Sequence, residues 1–213
     1  MGETIDLGRR IELLSSDRRC HNISIGLYER DVAGTPWFCA HTYAAVDGAD
    51  QRVAFITDTL RVMMGLDDVA DGSGWLTCPC GTSHPRAIKR GFLDLCKLET
   101  GASLEPMPLT MHDKKAECEL SVVGKGGGVY EIQAAADTPA AQRRVKALAR
   151  GFLKVCEMQS VEGSDTQVAF ACKTNHDALM GLLFFRAINV RSMMAEEEMA
   201  ATRGVLSAPS QQE

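Results

Sequence analysis

The sequence predicts an α+β protein made of two fused ββαβα units, and three observations lead there. First, Cys80-Gly81-Thr82-Ser83-His84 returns 92 residues later as Cys172-Lys173-Thr174-Asn175-His176. Second, the same offset aligns Gly34 with Gly126, Arg52-Val53 with Arg144-Val145 and Phe92 with Phe184, with no insertion needed. Third, apolar positions match in kind along both copies, as Phe38 with Tyr130, Ile56 with Leu148 and Met63 with Val155. A tandem duplication predicts a pseudo-two-fold axis. The expected architecture is a mixed sheet with helices mainly on one face.

The elements follow from local pattern. In the first unit, Ile23 to Glu29 and Pro36 to Tyr43 read as strands around Val32-Ala33-Gly34-Thr35. Val53, Ile56, Leu60, Met63 and Met64 recur at helical spacing over 48–66, with Asp47 as the expected N-cap. A polar loop precedes a short strand from Trp75 to Cys80. A helix over 84–98 follows, with Ser83 as N-cap and Pro85 in the first turn, where its missing N–H is harmless.

The second unit repeats this order. Ala116 to Val123 and Val129 to Ala135 flank Gly124-Lys125-Gly126-Gly127-Gly128, a hairpin signal that does not lead into a helix as a phosphate loop should. Thr138-Pro139 opens a helix through about Met158. Thr166 to Cys172 reads as a strand, and Asn175 is the expected cap of a helix from His176 to about Met194. The boundaries are an N-terminal extension over 1–21, a first unit over 22–98, a linker over 99–114, a second unit over 115–194 and a C-terminal helix and tail over 195–213. Strand parity puts Phe38, Ala40 and Thr42 on the helix side, and Trp37, Cys39, His41 and Tyr43 on the open face.

Composition narrows the function classes. The chain has 213 residues, 45% of them hydrophobic, and a formal net charge of −5. That supports a sizeable core and argues against a general nucleic-acid binder. The polar start, Met1 to Asn22, predicts no signal peptide, and no apolar run predicts a membrane span. Most of the eight cysteines sit within apolar periodic segments, so a reducing cytoplasm and free thiols are expected. The helix from Ala178 to Val190 carries one charge, Arg186, and is expected to be covered by the C-terminal extension or another subunit.

The repeated Cys-x-Thr-x-His lies where a strand ends and a helix begins. A thiol at a helix N-terminus is activated by the dipole, and the exposed N–H groups suit a carboxylate or phosphate. Cys80, Cys172, His84 and His176 are therefore the candidate catalytic residues. Thr82, Ser83, Thr174 and Asn175, with Trp37, His41 and Tyr43 on the open face, are the candidate ligand-binding residues. Cys80, Thr82, Cys172 and Thr174 together resemble the aspartate/glutamate racemases, in which each half offers a cysteine followed by threonine. That resemblance implies two-base chemistry on one carbon, although the early Asp-Ser-Gly signature of those enzymes is absent here.

Cys39-x-His41 and Cys78-x-Cys80, with His84 nearby, have spacings a zinc ion could use. Parity places the first pair on the opposite sheet face from the second, so no metal and no other cofactor is expected. The leading expectation is a homodimeric binding or interaction module with an unknown small-molecule or protein partner. A thiol-dependent enzyme of racemase or epimerase type is the alternative.

Overall fold

A computed structural model describes residues 7–17, 23–43, 46–69 and 74–189. The expected signal-peptide-free start, Cys20, the polar loop around residue 72 and the C-terminal extension fall wholly or mainly outside them. The strands are β1 (Arg9–Asp17), β2 (Ile23–Val32), β3 (Thr35–His41), β4 (Asp67–Asp68), β5 (Leu76–Thr77), β6 (Thr110–Asp113), β7 (Cys118–Gly126), β8 (Val129–Ala134), β9 (Gln159–Ser160) and β10 (Gln167–Ala169). The helices are α1 (Ala49–Met64), α2 (Pro85–Leu95), α3 (Pro139–Val155) and α4 (Asp177–Asn189).

The protein is α+β, but it has two sheets where one mixed sheet was expected. One sheet has the order β1-β2-β3-β5-β4 and the other β6-β7-β8-β10-β9. Every pairing in both is antiparallel. The chain returns beside β3 and β8 through a helix and a two-residue edge strand, which reverses direction and removes the parallel pairing. Each sheet also gains strands at its edges. β6 lies within the stretch read as linker, and β4 within the stretch read as loop.

Alternation decides which face is buried. Ile23, Ile25, Leu27, Phe38 and Ala40 from one sheet join Leu120, Val122, Tyr130 and Ile132 from the other in one continuous core with all four helices. The outward strand positions Glu119 and Gln133 are exposed, and Glu131 pairs with Lys125 at 2.6 Å. On the open face of the first sheet Leu7, Tyr28, Cys39 and Trp75 form a separate small cluster flanked by Trp37. The Arg30 guanidinium covers it, 4.1 Å from the centre of Trp75 and 4.9 Å from Trp37.

The apolar helix α4 is covered from within the chain. It packs against α1, α2, β6 and β7, so among the described residues neither a second subunit nor the C-terminal segment is needed to bury it. Gly181 lets it approach closely, because a Cβ there would fall 2.3 Å from the Met107 carbonyl oxygen. Three expected caps differ. Gly48, not Asp47, caps α1 in a left-handed conformation at φ 81. Ser83 does not cap α2, because its hydroxyl donates to Glu29. Asn175 turns away from α4, and its Oδ1 accepts the Gly128 N–H at 2.9 Å. At the expected start of α3, Thr138 caps the helix by accepting the Ala141 N–H at 3.1 Å.

No helix among the described residues is long and apolar enough to cross a membrane.

Candidate functional site

The two Cys-x-Thr-x-His segments adopt the same local turn. After β5 the Gly81 N–H donates to the Cys78 carbonyl at 2.8 Å, and after β10 the Lys173 N–H donates to the Phe170 carbonyl at 3.1 Å. Both turns need a left-handed residue, supplied by Gly81 at φ 67 and by Lys173 at φ 60. Glycine adopts it freely, whereas a lysine there carries a modest strain of about 1 kcal/mol. The second turn is held by Gly128, whose φ is +76 and where a Cβ would come within 3.0 Å of the Thr174 backbone nitrogen. Each turn delivers a histidine just before its helix.

The two turns meet. Cys80 Sγ lies 3.3 Å from His84 Nε2 and 3.0 Å from Thr82 Oγ1. Cys172 Sγ lies 3.1 Å from His176 Nε2. The Cys80 and Cys172 thiols lie close enough to perturb each other's ionisation. The two imidazoles stand edge-to-face with ring centres 4.9 Å apart. The structure therefore brings Cys80, His84, Cys172 and His176 into one cluster shared by both parts of the chain.

Cys78 and Phe170 complete it. Cys78 Sγ lies 3.7 Å from His176 Nδ1 and 3.3 Å from Cys80 Sγ. The Phe170 ring stands edge-on to His84 at 5.3 Å and to His176 at 4.9 Å. One ligand atom from each of Cys78, Cys80, His84 and His176 lies within 4.8 Å of all the others. Beneath the cluster the His176 N–H donates to the Tyr130 hydroxyl, which donates to Asp177 Oδ1 at 2.8 Å. That pair fixes the backbone entering α4.

Burial sets the protonation states. It pushes the Cys78 thiol up to about 12 and raises Cys172 as well. It lowers both imidazoles, His176 to about 4 with the help of the neighbouring His84. Cys80 goes the other way. Burial opposes its ionisation, but hydrogen bonds from the Thr82 side chain and backbone, with the neighbouring thiols, bring it below the ordinary thiol value. At neutral pH the imidazoles are uncharged and are bases or ligands, not acids.

Of the other candidates, Thr82 and Thr174 border the cluster and the rest lie elsewhere. Ser83 and the outer side of Thr82 line a groove of about 820 Å³ with Arg9, Glu29 and Arg30. Arg9 bridges Glu29 in that groove at 2.5 Å. Thr174 bends back on Cys172, its hydroxyl 3.5 Å from the Cys172 carbonyl. Trp37 lies beside the open-face cluster that contains Cys39. His41 and Tyr43 stack edge-to-face at 4.9 Å, and Tyr43 is 78% exposed. Cys78 belongs to the main core and Cys39 to the open-face cluster, so the two candidate metal pairs are separated. Sequence reasoning did not see His176 joining Cys78. The available signal was the recurrence of Cys-x-Thr-x-His, which marks both strand–helix turns as segments to be considered together.

No protein-family model, curated protein or solved structure matches this chain.

Proposed function

We propose that the chain is a tandem duplication of a βββαββα unit and works as a binding module whose ligand site is the thiol–imidazole centre on its pseudo-two-fold axis. The observation that carries this reading is that residues at the same position in each copy touch one another. His84 stands edge-on to His176, Asp94 is ion-paired with Arg186, and Cys80 and Cys172 perturb each other's ionisation, each pair 92 residues apart. Contacts between unlike positions also exchange. A Cβ on Gly65 would lie 3.3 Å from Ala178, and the equivalent positions, Glu157 and Arg86, form an ion pair at 2.9 Å. The buried ion pair of Arg52 with Asp17 likewise recurs between Arg144 and Asp113, each at 2.7 Å from Nε to Oδ2.

Binding is favoured over catalysis by the state of the centre. Two of its three thiols are held protonated by burial, and its imidazoles are neutral. Cys80, with His84 beside it and a lowered pKa, is the one observation that favours the thiol-enzyme reading. Self-association would rest on Tyr43 and on Phe185, which is 36% exposed, because Phe184 lies in the core.

Thiol alkylation near pH 6.5, mapped by mass spectrometry, tests the shared centre. Cys80 should label fastest and Cys78 slowest, and prior modification of Cys80 should slow labelling of Cys172. Independent labelling of Cys80 and Cys172 would refute a common site. A Cys80 rate typical of a fully ionised thiol would favour the enzyme.

A further inference from the structure

We infer that the centre is a zinc site, with Cys78, Cys80, His84 and His176 as ligands and Cys172 as the residue that orients His176. This deepens the binding reading above and rests on it.

The geometry fits tetrahedral zinc. With Zn–S near 2.3 Å and Zn–N near 2.0–2.1 Å, tetrahedral ligands stand roughly 3.3–3.8 Å from each other. Here Cys78 Sγ and Cys80 Sγ are 3.3 Å apart, Cys80 Sγ and His84 Nε2 are 3.3 Å apart, and Cys78 Sγ and His176 Nδ1 are 3.7 Å apart. The remaining pairs lie within 4.8 Å, so closing the set draws those atoms in by up to about 1 Å and parts the two sulfurs by about 0.5 Å. Two thiolates and two neutral imidazoles also cancel the charge of a divalent ion, which suits a half-buried position. Two thiolates with two imidazoles in a tetrahedral set select zinc over hard cations.

The surroundings support each ligand. Cys80 Sγ receives the Thr82 backbone N–H at 3.4 Å as well as the Thr82 hydroxyl contact, an arrangement that stabilises a bound thiolate. His176 faces Cys78 with Nδ1 and Cys172 with Nε2. Donation from Nε2–H to Cys172 Sγ leaves the Nδ1 lone pair aimed at the metal, the outer-shell arrangement common to zinc-bound histidines. Cys172 is thus a positioning residue. The repeat also fixes the stoichiometry. The position equivalent to Cys78 is Phe170, packed on both imidazoles, so the second copy lacks the thiol needed for a mirror-image site. One metal per chain follows. Four protein ligands make a closed, structural centre that ties the β5–α2 turn to the start of α4.

The test uses the full chain, stripped with chelator and kept reduced, titrated with Co²⁺ and then Zn²⁺. The expected result is one equivalent of Co²⁺ with the intense visible bands of tetrahedral thiolate coordination, displaced by one equivalent of Zn²⁺. Cys80→Ser and His84→Ala should abolish that spectrum, with circular dichroism showing that the variants stay folded. Cys39→Ser, on the far face of the sheet, should leave it unchanged. Cys172→Ser should keep the stoichiometry and weaken affinity about 10–100-fold. No tetrahedral Co²⁺ spectrum with the wild-type chain, or the same spectrum in Cys78→Ser/Cys80→Ser, overturns the zinc site. If the alkylation of Cys80 and Cys172 is nonetheless coupled, the shared centre survives that failure; if it is not, both readings fall.

Discussion

Arg52→Met should be among the most damaging single substitutions in this protein. The Arg52 and Asp17 side chains are each 1% exposed and meet at 2.7 Å from Nε to Oδ2. Arg52 also donates to the Leu98 carbonyl at 2.7 Å through Nη1 and to the Cys96 carbonyl at 2.8 Å through Nη2. One guanidinium therefore ties the end of β1 to α1 and to the segment that ends α2. Methionine fills much of the volume but removes the charge opposite Asp17 and the donors to both carbonyls. Breaking a buried pair from one side costs about 3–5 kcal/mol. For a chain of this size that lowers Tm by roughly 6–20 °C. Arg144→Met is the internal control. Its side chain is 14% exposed and reaches one carbonyl, that of Ala187 at 3.0 Å, so water can replace part of what is lost. Its cost should be about 2 kcal/mol, closer to the surface-pair limit. Urea unfolding with a shared m-value measures both. A loss under about 1 kcal/mol for Arg52→Met, or a larger loss for Arg144→Met, would refute the burial argument.

Other outcomes follow from single features. Gly128→Ala should cost about 2 kcal/mol, because it combines a left-handed φ with a Cβ driven into the Thr174 backbone; Gly126→Ala, where the space is open, should cost about 1 kcal/mol by denaturant unfolding. The Asp113 carboxyl feels burial raising its pKa, but Arg144 and the Ala116 and Lys115 N–H groups outweigh it and hold it low. Its folded pKa is depressed, so its stabilisation is present above the unfolded value of about 3.9 and is lost as pH falls through the lower folded value. Asp113→Asn should therefore flatten the acid limb of a stability–pH profile below about pH 4, and an unchanged limb would contradict this. Thr138→Ala should cost about 1 kcal/mol through loss of the α3 cap, read by thermal melting.

Much of the fold was legible because periodicity and turn chemistry are local. Val53 to Met64, the glycines between β7 and β8, and the Thr138-Pro139 start each announced an element. What was missed is not local. β4 and β9 are two residues long, too short to show any period, yet they decide that each sheet ends antiparallel. β1 ends at Asp17 outside the ungapped repeat, so the alignment gave no reason to join it to β2. Ser83 and Asn175 have the composition of caps, but Glu29 and Gly128 compete for their side chains, and those partners are 54 and 47 residues away. At the site, parity correctly separated Cys39 from Cys78. It could not show that the second histidine crosses to Cys78, because that contact depends on how two sheets pack.

On the proposed duplication, the contrast between α2 and α4 runs parallel to the asymmetry of the thiol centre. Under a perfect two-fold, the contact of α1 with α4 would be matched by an equal contact of α3 with α2. At one end Gly65 and Ala178 have almost no side chain, so α1 closes directly onto α4. At the other end the equivalent positions carry Glu157 and Arg86, a long ion pair with side chains 48% and 55% exposed. Glu157 even keeps the left-handed backbone of Gly65, at φ 55 against 66. The ion pair holds two half-exposed side chains apart where the glycine and alanine permit a close, partly buried contact. So α4 is apolar nearly all round, while α2 keeps Arg86 and Lys89 in solvent. Cys78, on the β5 turn, is the thiol turned toward His176 and α4; Phe170 takes the equivalent place toward His84. On the proposed duplication, Cys78 and Phe170 are two forms of one position, so the proposed metal site has one complete set of ligands where strict symmetry would require two or none.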